Sequence, residues 1–325
     1  MTPTTNRRRL LLAIAAAPWI SNAALAQSSW PTRDIKIVVP LPAGGGVDIF
    51  TRGLAEQLTA SLGKPVIVDN KPGAGGLIGV KAVANAQPDG YTVAYVHSGI
   101  VTVQAMTGRL DMLKELRLVA RLSYSPFALV VRAESPYKTA QELIAAVQAS
   151  PGKLTYGSGG IGSPSHLVVE HMEDRLGNFK ALHVPFKGAI ETANAMVGGQ
   201  VDFSVSLLGA LVPLVQGGKL RLLAVTSASR HPLFPNVPTL AETVIAGFVF
   251  EPWGGLAVPA GTPDAVVQRL AQASQAGMGS AAMKDVMQRQ GSIGQFVDGA
   301  AFTAQVAHDI PIEQALVKRL GMTGQ

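Results

Sequence analysis

The chain is 325 residues long, carries a formal net charge of +6 and contains no cysteine. Disulfides, thiolate metal sites and cysteine nucleophiles are therefore excluded. Its modest positive charge, with no Lys/Arg run beyond the first ten residues, leaves no nucleic-acid footprint.

The first 26 residues have the pattern of an export signal. Arg7, Arg8 and Arg9 precede a short apolar run over 10–17, and Ala24-Leu25-Ala26 is a small-x-small cleavage site. That run is too short to span a bilayer, and no later stretch reaches the ~20 residues needed. Cleavage after Ala26 predicts a periplasmic product; the paired arginines permit a twin-arginine route beside the general secretory one. About 300 residues then remain, which at ~100–200 residues per domain favours two lobes.

Strand and helix alternate through most of the remaining chain. An apolar run at 35–39 is followed by Val47, Phe50, Leu54, Leu58 and Leu62 at helical spacing. The pattern predicts strands at 65–68 and 91–96 around a helix at 74–84. After a less regular stretch it continues with a strand at 127–131 and a helix at 139–149. Strands then fall at 154–156, 182–184, 201–205 and 220–225, with helices at 164–175, around 189–197 and from 209. Past a strand at 254–258 the segments 263–276, 281–289 and 300–320 are mostly helical. Such alternation predicts mostly parallel sheets flanked by helices.

The stretches 128–143 and 255–270 share a strand, an alanine, Ser/Thr-Pro and a helix. One reading makes each a point where the chain passes into a lobe. Lobe 1 is then discontinuous (27–125 and 251–325), with lobe 2 at 126–250. The other reading is that strand, turn, proline and helix simply form a common sequence, because proline suits a first helical turn.

Two glycine-rich loops join strands to helices. In Pro42-Ala43-Gly44-Gly45-Gly46 the glycines offer positive φ or close approach to backbone N–H groups. A helix N-terminus stabilises an anion without any basic side chain. No Gly-Lys-Ser/Thr follows, so this is not a nucleotide P-loop. A tight turn without a ligand is the competing reading. The second loop, Gly157-Ser158-Gly159-Gly160-Ile161-Gly162-Ser163, contains G-x-G-x-x-G, which raises a dinucleotide-binding enzyme as an alternative. The next strand, however, ends in Pro185-Phe186-Lys187-Gly188 rather than in an acid. Two such loops suit a small anion clamped between lobes better.

Asp48 fits two jobs: complementing its helix dipole while pairing with Arg52 at i, i+4, or receiving a ligand ammonium or hydroxyl. Ser163 before Pro164 is a good N-cap, and Ser158 and Ser163 could also donate to a carboxylate. His166 and His171 are five apart, the wrong spacing for a metal pair on one helical face. No Gly-x-Ser-x-Gly elbow and no evident acid pair is present. No catalytic set and no cofactor are therefore expected.

With these loops read, the chain resembles exported solute-binding proteins of the tripartite tricarboxylate transporter type, the Bug family. The resemblance rests on WPTRDIKIVVPLPAGGGVDIFTR, DNKPGAGGLIGVKAVANAQPDGYTV, YGSGGIGSPSHL, VPFKGAIETANAMVGGQVDF and GLAVPAGTPDAV, in that order. It implies a two-lobed α/β fold like that of type II periplasmic binding proteins, closing like a flytrap, without enzymatic activity. It also implies that backbone N–H groups and ordered water hold a small carboxylate, which is presented to inner-membrane transporter subunits by a monomer. By position, the first lobe would supply Leu41, Ala43, Gly44, Val47, Asp48 and Ser98. The second would supply Ser158, Gly162, Ser163, Phe186, Lys187, Gly188, Ala189 and Asp202. Asn70 and the loop 72–76 look architectural. Leu41, Val47 and Leu77 stand where the family commonly has an aromatic, a hydroxylated residue and Asn, which points away from a highly polar ligand. A sensor without a transport role, and a purely structural envelope protein, are the other expectations.

Overall fold

A computed structural model of the protein describes residues 30–324, so the export signal expected at 1–26 lies outside the described residues. The chain begins with β1 (Ile35–Val39), α1 (Gly46–Leu62), β2 (Val66–Asn70), a 3-10 turn (Ala74–Gly76), α2 (Leu77–Ala84) and β3 (Thr92–His97). It continues through α3 (Gly99–Thr107), α4 (Met112–Glu115) and β4 (Leu116–Tyr124). A second unit follows: β5 (Phe127–Arg132), α5 (Ala140–Ala149), β6 (Thr155–Ser158), α6 (Pro164–Leu176) and β7 (Leu182–Pro185). Its remainder is α7 (Ala189–Val197), β8 (Phe203–Leu207), α8 (Leu208–Gln216), β9 (Leu220–Val225) and α9 (Leu240–Thr243). The last stretch is β10 (Trp253–Pro259), α10 (Asp264–Met278), α11 (Ala281–Arg289), β11 (Ile293–Asp298) and α12 (Gly299–Arg319).

Local chemistry accounts for these elements. On α1, Phe50, Leu54, Leu58 and Leu62 form one buried stripe, and Gly63 ends the helix in the left-handed region with its N–H on Thr59 O. Thr139 and Glu142 form a reciprocal capping box at the start of α5. In β1, Ile35, Ile37 and Val39 pack towards α1 while Val38 packs against α2 on the other face. A strand buried on both sides reads as a continuous apolar run, which is how its sequence looks.

The first sheet has the order β11-β4-β10-β3-β1-β2 and the second β7-β6-β8-β5-β9. The expected "mostly parallel" character is corrected here: both sheets are mixed. β1 pairs in parallel with β2 and β3, but β10 runs antiparallel to β3 and β4, and β11 to β4. In the second sheet β6 is parallel to β7 and β8, whereas β5 is antiparallel to β8 and β9. The cause is the passage between lobes. β1 and β3 run towards the lobe junction, but β10 and β5 carry the chain away from it. Two strands, β4 and β11, also lie where the sequence predicted none.

These crossovers locate the cleft. Gly254, at the start of β10, faces His97, at the end of β3, and Ser125 donates its N–H to Pro252 O at 2.8 Å. In the second lobe Leu207, ending β8, faces Phe127, opening β5. The C-terminal ends of β1, β3, β6 and β8, with the helices that follow them, therefore all lie on the junction side.

Candidate functional site

The loop between β1 and α1 is held by Asp48. Its Oδ2 accepts from the Gly44 N–H at 2.9 Å and from Arg52 Nε at 3.0 Å, and its Oδ1 accepts from Asn70 Nδ2 at 2.9 Å. Asn70 Nδ2 also donates to Leu41 O at 3.1 Å. The Arg52 guanidinium hydrogen-bonded to Asp48 outweighs burial and holds the carboxyl down at about 2. The i, i+4 pairing expected from sequence is present, but it is part of a larger staple. Of the three glycines only Gly44 has positive φ (+82°), while Gly45 is an extended N-cap at φ −79°. Leu41 and Val47 are half-buried against the α1-side core. Behind them, a Cβ at Gly79 would fall 2.8 Å from Lys71 O and 3.0 Å from Pro40 Cα. The segment after β2 thus buttresses the first loop.

The loop between β6 and α6 is pinned differently. Gly159 N–H donates to Ser165 Oγ (2.8 Å), Gly160 N–H to Ser158 Oγ (3.1 Å), Gly162 N–H to His166 Nδ1 (3.3 Å) and Ser163 N–H to Gly160 O (3.1 Å). Ser163 is the N-cap expected, accepting from the His166 N–H. Positive φ at Gly160 (+112°) and Gly162 (+76°) makes these two positions require glycine. The loop lies on its neighbour: a Cβ at Gly159 would sit 3.3 Å from Gly188 Cα, and Phe186 donates its N–H to Ser158 O at 2.9 Å. Lys187 is exposed, with its N–H on Glu191 Oε2, and Ala189 opens α7 behind Gly188.

Ser158 is fully buried, and its Oγ lies 2.6 Å from His183 Nε2. The His183 and His166 rings are 4.4 Å apart. Burial pushes His183 down to about 4 and lowers His166 as well. Sequence spacing sets His166 only against His171 and assigns His183 no role. The β6–β7 register sets His183 opposite Tyr156, two residues before Ser158, a placement that local sequence does not reveal. Asp202, by contrast, is not brought to the loops. It opens the turn into β8 and accepts from Thr155 N–H and Oγ at the far end of β6 from Ser158.

A cavity of about 650 Å³ lies between the lobes at the junction. The start of α3 (Ser98, Gly99), the start of α6 (Pro164, Leu167) and the crossover segment ending at Trp253 all line it, with α12 along one side. Ser98 is the one expected ligand residue in its wall. Among the described residues no group of three His, Cys, Asp or Glu side chains is placed to hold a metal ion. No described helix is long and apolar enough to cross a membrane.

The chain matches a known family model, TctC, the tripartite tricarboxylate transporter family receptor, over residues 50–322. The chain belongs to that family. It is 36% identical over 312 residues to the UPF0065 protein in the gbd 5' region of Cupriavidus necator, covering 96% of this chain and 93% of that one. Protein BugT of Bordetella pertussis is 32% identical over 295 residues (88% and 90% covered). A TctC solute-binding protein from Polaromonas superposes with a TM-score of 0.81 at 36% identity, covering 89% of this chain and 99% of that one. Two Rhodopseudomonas palustris proteins are also similar. One has bound adipate (TM-score 0.74, 29% identity, 90% and 98% covered). The other, MatC, has bound malate (TM-score 0.72, 28% identity, 89% and 100% covered). Receptor-family membership makes the chain a Bug-type solute-binding protein, and these neighbours are solute-binding proteins rather than enzymes.

Proposed function

We propose that the protein captures a small carboxylate between its lobes in the periplasm and presents it to inner-membrane transporter subunits, with no catalytic step. One observation carries this reading: the starts of α1, α3 and α6 all lie at the lobe junction, each after a strand that ends there. Helix starts supply N–H donors and partial positive charge, and together they suit an anion. The adipate and malate complexes of two relatives support a carboxylate as that anion. Lobe limits of 27–125 with 251–325, and 126–250, belong to the same proposal, as do the export signal and the monomeric state.

The dinucleotide alternative fits less well. In the G-x-G-x-x-G loop the N–H groups of Gly159, Gly160 and Gly162 are occupied by Ser165, Ser158 and His166. Those three N–H groups are taken for any anion, so what weighs against a dinucleotide is the end of β7, where Pro185 and Lys187 stand in place of the acid that would hold a ribose. Calorimetric titration of the protein lacking residues 1–26 against a carboxylate panel and NAD tests the choice. Binding of at least one carboxylate and not of NAD is expected; the reverse would overturn the reading.

A further inference from the structure

The interlobe cavity has a composition that bears on what kind of carboxylate fits. At about 650 Å³ it lies in the range of pockets that enclose ligands larger than a four-carbon acid. Its apolar wall comes from Val101, Leu167, Phe248, Phe250, Trp253 and Ile312. Its charged wall is one-sided. Asp174, Glu251, Asp309 and Glu313 face it, against Arg175 and the histidines His171 and His308. Arg175 already donates to Ala246 O at 2.8 Å. Nearby cations are engaged too: Arg319 lies 2.9 Å from Asp174, and Arg121 bonds Gln305 and Gln295. In the first loop Arg52 is held by Asp48 and Asn70.

A second carboxylate reaching into this cavity would leave water for a wall of net negative charge: of the four carboxylates Asp174 is paired with Arg319, and Arg175 is the one arginine in the lining. Both effects are unfavourable. An uncharged apolar body would instead bury surface against Val249, Phe250 and Ile312, the apolar lining not already buried in the lobe cores. Apolar side chains also flank the second-lobe site: Ile161 on the β6–α6 loop is 73% exposed and Ile190 at the start of α7 is 76% exposed.

We propose that the ligand is a monocarboxylate with an apolar, aryl-sized body, its carboxylate at the helix starts and its body in the cavity against Val249, Phe250 and Ile312. This departs from the dicarboxylates bound by the two relatives, and it rests on the carboxylate-capture reading above.

The test is calorimetric titration of the protein lacking residues 1–26 with 4-phenylbutanoate and with adipate, which differ by a phenyl group against a second carboxylate and by one methylene of chain, with glutarate as the length-matched control. The wild type should bind 4-phenylbutanoate at least about tenfold more tightly. Ile312→Lys places a cation at the half-exposed edge of the cavity, and Glu251→Gln removes one of its carboxylates. Each should narrow that ratio by improving adipate binding. Adipate binding as tightly as 4-phenylbutanoate in the wild type, or a ratio unchanged in both folded variants, would overturn the apolar-body assignment while leaving carboxylate capture standing. Binding of neither acid, nor of any other carboxylate in a wider panel, would overturn both.

Discussion

Asn70 donates to Asp48 Oδ1 at 2.9 Å across 22 residues of sequence, fastening the end of β2 to the first turn of α1. With Gly44 and Arg52 on its other oxygen, Asp48 has both carboxylate oxygens engaged before any ligand arrives.

Asp48 should therefore act on stability more than on recognition. Asp48→Asn is expected to cost about 1–3 kcal/mol in urea unfolding, because charge-assisted bonds to a buried carboxylate are lost. Ligand affinity should change little. Its carboxyl, held at about 2, lies below the unfolded value, so its stabilisation is complete above about pH 4 and disappears as pH falls towards 2. A variant that loses binding of an α-amino acid but keeps that of its deaminated analogue would reassign Asp48 to an ammonium.

His183 should make the protein acid-labile at a milder pH. Burial depresses the folded value to about 4, below the unfolded ~6.5, so the unfolded state binds the extra proton. Stability is fully present above pH 6.5 and is lost as pH falls towards 4. Thermal melts should show the wild-type Tm falling across that window and His183→Gln falling less steeply. Parallel curves would mean that other groups dominate.

Much of this fold was legible because its buried strands and amphipathic helices keep their periods. Ile35 to Val39 and the α1 stripe needed only local patterning. β4 was missed because Arg117 and Arg121 interrupt its apolar run. Their partners, Thr262 O, Gln305 and Gln295, lie 145 to 184 residues away and cannot be seen locally. The helix read at 74–84 begins instead with a 3-10 turn in which Ala74, Gly75 and Gly76 all have positive φ. At the site, the loops and the Ser163 cap were readable from strand, glycine and helix order. The Ser158–His183–His166 cluster was not, because it depends on the register of β6 and β7. Asp202 carried over by position alone, and the register puts it at the other end of its strand.

The glycines should separate by backbone conformation rather than by their place in a motif. Gly44→Ala and Gly160→Ala force a side chain into positive φ, at about 1–2 kcal/mol each. Gly45→Ala, at φ −79° with only Pro42 O within 4 Å of the new Cβ, should cost under about 1 kcal/mol. Equal losses at all three sites in denaturant titrations would contradict the assigned conformations.

Across the cleft, Arg319 of α12 meets Asp174 at 2.9 Å and Glu170 at 3.6 Å on α6. These ion pairs are partly exposed, so each is worth about 0.2–1 kcal/mol. Arg319→Ala should weaken carboxylate affinity by up to about fivefold, because it removes ion pairs that hold the two lobes together. That difference should fade in about 1 M salt, where screening is nearly complete. A salt-independent loss would point to packing instead.

The most direct test of capture between lobes is small-angle scattering of the protein lacking residues 1–26, with and without a carboxylate shown by calorimetry to bind. Closure of the hinge should lower the radius of gyration and sharpen the distance distribution at saturation. Superimposable curves at full occupancy would contradict capture between the lobes.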